Sequence, residues 1–228
     1  MKIAIIPARG GSKRIPKKNI KLFCGKPMIV WSIEAAFKSN AFDKVIVSTD
    51  DKVISKISKK NGAEVPFIRP KNLSNDHVSV SEVILHATKW AIEEYNNNIS
   101  AICVIHATAP FIKEKDLNAS YEILKKKECE IVFSATSYPF PIQRAFKINK
   151  DNNVEMFEPQ NLMVRSQDLE PAYHDAGQFY WMTCEAILES IPTFSSKSKA
   201  FLLPRYEVQD IDTEEDWNEA ELIFKKLY

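Results

Sequence analysis

The chain has 228 residues, with 31 Lys and Arg against 30 Asp and Glu, a formal net charge of +1 and 45% hydrophobic residues. This length predicts one large domain, or one domain with an insertion, that buries a substantial core. The near-neutral charge argues against general nucleic-acid binding. We find no apolar stretch of membrane-spanning length and no signal-peptide pattern, so we expect a cytoplasmic protein without a membrane partner. The four scattered cysteines lack metal-ligand spacing and are expected to be buried free thiols.

Apolar runs with strand character alternate with amphipathic helical stretches as far as residue 135. The predicted strands cover residues 2–6, 44–49, 64–68, 101–105 and 130–135. The predicted helices cover residues 27–39, 50–60, 77–95 and 113–126. This β-α-β alternation predicts a doubly wound, mostly parallel, Rossmann-like α/β sheet.

The alternation breaks between about residues 138 and 173. This segment holds several prolines and a candidate hairpin at residues 147–153, and it is too small for a core of its own. We interpret it as an insertion in a single domain of residues 1–228, projecting as a dimerisation arm, with an active-site loop as the alternative.

Regular structure is expected to resume after the insertion. The predicted strands there cover residues 178–182, 199–203 and 206–211. A final helix is predicted from Glu214, with Thr213 as its N-cap and Asp216 completing a capping-box pattern.

A basic loop follows the first predicted strand. Seven Lys or Arg residues and no acid lie between Pro7 and Lys26. Gly10 and Gly11 permit close backbone approach and positive φ, so that N–H groups can point at an anion. The loop matches neither the Walker A spacing nor the Gly-x-Gly-x-x-Gly pattern. Because open α/β sheets bind ligands at this edge, we predict a polyphosphate site, with a solvated basic loop as the alternative.

Two acids near the C-terminus are candidate metal ligands. Strand alternation would point Asp210 and Asp212 to one side and Ile211 to the other. Paired carboxylate oxygens suit Mg²⁺, with Mn²⁺ as the alternative metal. Asp212 could instead be an ordinary helix N-terminal acid.

Other polar residues follow the remaining predicted strands. Asp50 is interpreted as a helix N-cap in preference to a metal ligand. Arg69 is suited to a nucleotide base or a phosphate, and Asp76 to the same site or to a helix N-cap. His106 is placed either to touch a substrate or to serve a structural role.

Five motifs in order resemble the CMP-sialic acid synthetase (acylneuraminate cytidylyltransferase) family over essentially the whole chain. They are Ala8-Arg9-Gly10-Gly11-Ser12-Lys13, Pro16-x-Lys18-Asn19, Ser48-Thr49-Asp50, Arg69-Pro70-x-x-Leu73-Ser74-x-Asp76 and Asp210-Ile211-Asp212-Thr213. The resemblance implies a nucleotidyltransferase fold and the reaction CTP + nonulosonic acid → CMP-sugar + pyrophosphate, serving surface-glycan or flagellin glycosylation. It also implies a homodimer joined by the insertion.

Two segments favour one branch of this family. Residues 172–181, Ala-Tyr-His-Asp-Ala-Gly-Gln-Phe-Tyr-Trp, resemble the branch that activates pseudaminic acid. The sialic acid enzymes carry an Asn-Gly-Ala-type segment there, and a Gln-Pro-Thr/Ser-Pro-like segment where this chain has residues 106–110, His-Ala-Thr-Ala-Pro. Pseudaminate is therefore the expected sugar, with N-acetylneuraminate and legionaminate as alternatives.

The resemblance also implies roles for individual residues. The expected nucleotide contacts are Arg9, Gly10, Gly11, Ser12, Lys13, Lys18, Asn19, Arg69, Ser74 and Asp76. The expected sugar contacts are His106, Arg165, Tyr173, Gln178 and Phe179, with Arg165 pairing with the sugar carboxylate in its own or the partner's site. Asp210 and Asp212 are the expected metal ligands.

The expected chemistry is attack of the sugar hydroxyl on the α-phosphorus of CTP, helped by positioning and electrostatic stabilisation. We assign Lys18 to the α-phosphate, and Arg9 and Lys13 to the leaving phosphates. The proton acceptor stays open between Asp212, a metal-bound hydroxide and water. Arg14, Lys17, Lys21 and Lys26 are interpreted as solvated charge. The alternatives in other classes are a sugar-1-phosphate nucleotidyltransferase and a non-catalytic nucleotide-binding protein.

Overall fold

A mixed sheet of six strands forms the centre of the protein, in a computed structural model that describes residues 1–228. The order across the sheet is β10-β6-β9-β5-β1-β4, and β9 alone runs antiparallel to its neighbours. Its strands are β1 (Lys2–Pro7), β4 (Lys44–Ser48), β5 (Ala101–Ile105), β6 (Ile131–Ser137), β9 (Tyr173–Met182) and β10 (Ser198–Leu202). Two short ribbons lie outside this sheet, β2 (Leu22–Phe23) with β3 (Lys26–Pro27) and β7 (Phe146–Ile148) with β8 (Val154–Met156).

Helices cover both faces of the sheet. Their bounds are α1 (Met28–Ser39), α2 (Lys52–Lys60), α3 (Val80–Glu94), α4 (Glu114–Leu124), α5 (Cys184–Leu188) and α6 (Glu214–Leu227). Alternate residues of β1 enter different cores, Ala4 with α1, α2 and α4, and Ile3 with α3 and α5. Because both faces are buried, β1 and β5 are almost wholly apolar. The predicted doubly wound, mostly parallel sheet is confirmed.

A third core joins α6 to the β2–β3 ribbon. Phe23 packs edge-on against Trp217 and Phe224 of α6. The helix begins at Glu214, and its N-cap is Thr213 with Asp216 completing the capping box, as predicted. This packing brings the segment that precedes α6 next to the loop that follows β1.

Two predicted strands are wrong. Residues 64–68 make only isolated parallel bridges, at Glu64 and Ile68, because Pro66 between them has no N–H to donate. Residues 206–211 begin as a 3₁₀ turn over Arg205–Glu207 and continue as irregular backbone. The long helix also starts later than predicted, at Val80, with Ser79 as its N-cap and Glu82 of its first turn completing a capping box.

The insertion contributes no residue to the four buried hydrophobic clusters of the protein. It carries the β7–β8 ribbon and three 3₁₀ turns, and β9 returns the chain to the central sheet. Nine of its large apolar side chains are at least 43% exposed, namely Tyr138, Phe140, Ile142, Phe146, Ile148, Val154, Phe157, Leu162 and Met163.

No helix combines the length and the apolar composition needed to cross a bilayer. The four cysteines form no disulfide; Cys103, Cys129 and Cys184 are buried and Cys24 is half-buried.

Candidate active site

A cavity of ≈ 420 Å³ opens at the carboxyl-terminal edge of β1 and β5. Four separate segments of the chain line it. The carboxyl ends of parallel strands meet at one edge of the sheet, so the loops that follow these strands lie close together. The predicted residues that line this cavity are Arg9, Ser12, Lys13, Lys18, Asn19, Arg69, Asp76, His106, Asp210 and Asp212. Gly10, Gly11 and Ser74 do not line it.

Lys18 joins the basic loop to the segment that precedes α6. Its ammonium donates to the Ile211 carbonyl at 2.5 Å and lies 3.2 Å from the Asp212 carboxylate. Its side chain is only 18% exposed, the lowest fraction among the cations of the loop that form ion pairs. Asn19, next in sequence, donates its side-chain amide to the Arg9 carbonyl at 2.9 Å, which holds the two ends of the loop together. A half-buried, tethered cation of this kind suits a fixed anionic ligand.

Arg9 and Lys13 converge on one carboxylate. Arg9 lies 2.8 Å from Asp76, and Lys13 pairs with the other oxygen of the same group. The hydrogen bond from Lys13, followed by the charges of both cations, holds the pKa of Asp76 below its usual range. Asp76 is not a helix N-cap, since Ser79 caps α3. Asp76 therefore orients two of the cations assigned to phosphates.

The glycine pair behaves differently from the prediction. Neither Gly10 nor Gly11 has positive φ. A Cβ on Gly10 would lie 2.9 Å from the side chain of Asp51, so glycine is required there by a close approach. The Gly10 N–H donates to Asp50 at 3.0 Å and is therefore already paired within the chain.

Asp50 is a site-supporting residue and not the N-cap of α2. The cap is Asp51, which accepts from the backbone N–H groups of Val53 and Ile54. Asp50 lies 3.6 Å from the guanidinium of Arg69. Arg69 is 4% exposed. Burial lowers the pKa of Arg69, while the negative charge of Asp50 acts in the opposite direction. Ser74 accepts a 3.4 Å hydrogen bond from Arg69 Nε and so supports this arginine from outside the cavity.

Asp210 and Asp212 reach the cavity from irregular backbone. Ile211 between them is 2% exposed in the α6 core, and it turns both carboxylates toward the cavity without a strand. Asp212 also pairs with Arg14 at 2.6 Å.

The assignment of four cations to solvated charge is wrong for three of them. Arg14 lines the cavity and pairs with Asp212. Lys21 pairs with Glu214, and Lys26 pairs with a glutamate of α1. Sequence reasoning missed these pairs because the acids are distant in the chain or lie on another element.

A second pocket of ≈ 350 Å³ adjoins the first and shares His106 and Val80 with it. Nine of its fifteen lining residues are hydrophobic, so it differs in character from the charged cavity. Its polar wall includes Asp175 and Tyr180 of β9. Sequence reasoning missed both residues, although they lie inside the segment that indicated the branch.

His106 stands between the two cavities. Its ring makes no hydrogen bond within the chain and packs 5.4 Å from the Tyr180 ring. Burial lowers the pKa of His106, while the carboxylates of Asp175 and Asp210 oppose this shift. A ring nitrogen of this residue is therefore free to meet a ligand that occupies both cavities.

Two predicted sugar contacts, Gln178 and Phe179, line neither cavity. Gln178 is 4% exposed and donates to the Glu207 carbonyl at 2.5 Å, while Phe179 is fully buried and packs against Phe201 in the core. Phe179 lies two residues before Trp181 in the same core, and Gln178 lies where the ladder between β9 and β6 is interrupted, so neither side chain lines a cavity. The residues of β9 that line the second pocket include Asp175 and Tyr180.

Two more predicted contacts lie away from both cavities of this chain. Tyr173 is 51% exposed and pairs with Ser137 at the far end of β9. Arg165 lies in the insertion and forms a 2.7 Å ion pair with Asp168.

An open α/β sheet that gathers cations and three carboxylates at its ligand-binding edge is typical of a nucleotide-binding transferase. The family model described as "Cytidylyltransferase" matches residues 3–216. The chain belongs to this cytidylyltransferase family and is an enzyme, a nucleotidyltransferase. The family expected from the five motifs is confirmed.

Relatives and solved structures agree with this membership. A pseudaminic acid cytidylyltransferase of Campylobacter jejuni subsp. jejuni serotype O:2 is 45% identical over 223 residues, covering 98% of this chain and 96% of the relative. A CMP-N,N'-diacetyllegionaminic acid synthase of Legionella pneumophila subsp. pneumophila is 31% identical, covering 94% and 92%. The solved CMP:2-keto-3-deoxy-manno-octonic acid synthetase complexed with CTP superposes with a TM-score of 0.70 at 15% identity, covering 100% and 99%, which shows a shared fold.

Proposed function

We propose that this enzyme transfers CMP from CTP to a nonulosonic acid, with pseudaminic acid as the substrate, and releases pyrophosphate. The observation that carries the proposal is the pair of adjoining cavities that meet at His106. The charged cavity suits a nucleoside triphosphate, and the largely apolar pocket suits a sugar with acyl and methyl groups. The relative at 45% identity supports pseudaminate in particular.

We assign the cations of the first cavity to different phosphates of CTP. Lys18, tethered and little exposed, is proposed to bind the α-phosphate, where the sugar hydroxyl attacks. Arg9 and Lys13, oriented by Asp76, are proposed to bind the leaving phosphates. Such donors lower the barrier because they already point at the position where charge develops.

Asp210 and Asp212 are proposed to hold Mg²⁺. Their donor set fits this ion, because Mg²⁺ usually takes one or two carboxylates and completes its shell with water and substrate phosphates. Both carboxylates line the cavity that also carries the phosphate-binding cations. When bound, the ion supplies charge neutralisation for the phosphates. Arg14 and Lys18 hold Asp212 in place on the protein side.

The insertion is proposed to join two copies of the chain. Its exposed apolar side chains are unusual for a segment that contacts only water. A homodimer would cover them, and Arg165 would then be available to the partner's sugar site. Sedimentation of the protein, compared with a variant carrying Phe140→Ser and Phe157→Ser, tests this part; two monomeric species would contradict it.

The reaction itself is tested by incubating the protein with CTP, Mg²⁺ and one acceptor at a time. The mass of the product is then measured by mass spectrometry. The acceptors are pseudaminic acid, a legionaminic acid, N-acetylneuraminic acid and a hexose 1-phosphate. We expect CMP-pseudaminate as the fastest product. Product from the sugar phosphate alone would favour the alternative nucleotidyltransferase, and no turnover with any acceptor would favour a non-catalytic nucleotide-binding protein.

A further inference from the structure

Asp175 is the only aspartate or glutamate that lines the second pocket. The wall around it is formed largely by side chains of α3, β9, α5 and the segment that follows α5, including Ile84, Ile187 and Phe194. A carboxylate in such a setting must be hydrogen-bonded, since an unpaired buried charge is costly. Its partners therefore indicate what the pocket is built to bind.

Two donors of this chain orient the carboxylate. The Tyr180 hydroxyl donates to one oxygen at 2.6 Å, and the Gly177 N–H donates to the other at 2.7 Å. Burial, then the hydrogen bond and charge of Asp175, raise the pKa of Tyr180 far above its usual range, so the tyrosine stays a donor. A carboxylate offers roughly four acceptor positions, so about two stay open after these bonds.

An irregularity in β9 creates this arrangement. Asp175 and Tyr180 are five residues apart, and an unbroken strand would point them to opposite faces. In the ladder with β6, Ala135 pairs with Asp175 and Phe133 pairs with Tyr180, so β9 carries extra residues at this point. Gly177 adopts a φ of +62° there, a conformation that favours glycine.

The irregular segment is itself held by a polar contact. The Ser134 hydroxyl accepts from the backbone N–H groups of Gln178 and Phe179, at 3.2 Å and 3.1 Å. Such bulges often re-aim a side chain beside an active site. Here the result is an oriented acceptor facing an apolar pocket next to His106.

We propose that Asp175 is a specificity-determining residue, which accepts the N–H of an acylamino substituent on the sugar acid. The acyl methyl group of that substituent then packs on the apolar wall. A hydroxyl in the same place supplies a donor but leaves the apolar wall uncovered. The inference rests on the proposed function, because it assigns the second pocket to the sugar.

The test uses two nonulosonic acids that differ only in carrying an acetamido group or a hydroxyl group at one carbon. Asp175→Asn removes the charge and one acceptor oxygen at nearly constant shape. We expect kcat/KM for the acetamido substrate to fall about 10- to 100-fold, since hydrogen bonds to charged groups have this strength. We expect the KM for CTP to change less than about threefold, and the kcat/KM for the hydroxyl congener to fall less than that for the acetamido substrate, because the hydroxyl donates to Asp175 without the apolar packing that holds the acetamido group in place.

Glu185→Gln is the matched control, since Glu185 is an exposed acid on α5 and lines neither cavity. Should Asp175→Asn fail to fold, Tyr180→Phe is the second variant, because it removes the orienting donor and keeps the ring. It should lower kcat/KM for the acetamido substrate more than for its congener.

Two outcomes overturn different statements. An unmutated protein that converts neither sugar acid contradicts the proposed function. An unmutated protein that converts them, with the same substrate preference in the Asp175 and Tyr180 variants, contradicts only the inference about Asp175.

Discussion

The two cavities meet at His106 and Val80 but are organised in opposite ways. In the charged cavity, cations pair with carboxylates of the same chain, as Lys18 does with Asp212. In the second pocket, one oriented carboxylate faces largely apolar side chains. The first arrangement suits a polyanion, which can take over the cations from their internal partners. The second suits a ligand that brings its own donor and an apolar group.

The geometry of the two cavities is also fixed in two different ways. Ion pairs between distant segments set the geometry of the charged cavity, and an irregular strand held by Ser134 sets that of the apolar pocket. Substitutions should therefore affect the two substrates separately. The predictions below test that separation, beginning with the largest effect.

The largest effect is expected for Lys18→Ala. Loss of one oriented donor to a developing charge costs about 3 kcal/mol, a fall in kcat of roughly 10²- to 10³-fold. Pyrophosphate release under saturating substrates measures this fall. Lys17→Ala is the control, because Lys17 is exposed and makes no ion pair. Equal activity of the two variants would contradict the role of Lys18.

The next effect concerns Gly10→Ala, which acts on the charged cavity alone. A Cβ there meets the Asp51 side chain at 2.9 Å, so the loop or the start of α2 must move. Overpacking of this kind costs about 1–3 kcal/mol in the free energy of unfolding, and the KM for CTP should rise with it.

Gly11→Ala is the matched control in urea denaturation and in the CTP titration. A Cβ on Gly11 meets nothing within 4 Å, and its φ is not positive. This variant should stay within about 1 kcal/mol of the unmutated protein or gain stability. Equal losses in both variants would show that the close approach is unimportant.

Gln178→Ala tests whether the side chain of Gln178 on β9 serves the core and not the sugar pocket. The substitution leaves the buried Glu207 carbonyl without this donor, at a cost of about 1–3 kcal/mol. Melting should fall by roughly 2–4 °C for each kcal/mol, with the KM for the sugar acid unchanged. A raised KM at an unchanged melting temperature would restore Gln178 as a sugar contact.

The smallest effect is the pH dependence that Asp76 contributes. Lys13 and Arg9 lower the pKa of this carboxyl, so the pairs stabilise the protein above its ordinary pKa of 3.8 and lose this effect as pH falls through the lowered value. The free energies of unfolding of the unmutated protein and of Asp76→Asn should therefore differ at neutral pH and become equal in acid.

High salt provides the control for this measurement. Because the pairs are exposed, 1 M NaCl should shrink the difference between the two proteins. A difference that persists below the lowered pKa, or that ignores salt, would show that the pairs with Asp76 are not its source.

Much of this enzyme was predictable from local patterns. Apolar runs predicted β1, β4, β5, β6, β10 and the second half of β9. The signal is strongest in central strands such as β1 and β5, because a strand covered by helices on both faces is apolar throughout. Cations after β1 and acids before α6 were recognisable as site residues for a related reason, since parallel strands end at one ligand-binding edge. The start of α6 followed from its capping box.

The errors about the charged cavity share one physical cause, which is that local periodicity does not report partners distant in the chain. Arg14 looked like solvated charge until the fold placed Asp212 beside it, 198 residues away. Asp50 looked like a helix cap, yet it binds Gly10 and faces Arg69.

The sequence by itself determined the sheet, the charged edge and the family, since these depend on composition and order along the chain. Only the tertiary structure decided the second pocket. An irregular strand cancels the two-residue alternation, so Asp175 and Tyr180 share a wall although they are five residues apart. A register set by pairing with β6 is a property of two strands together, and neither strand's sequence specifies it alone.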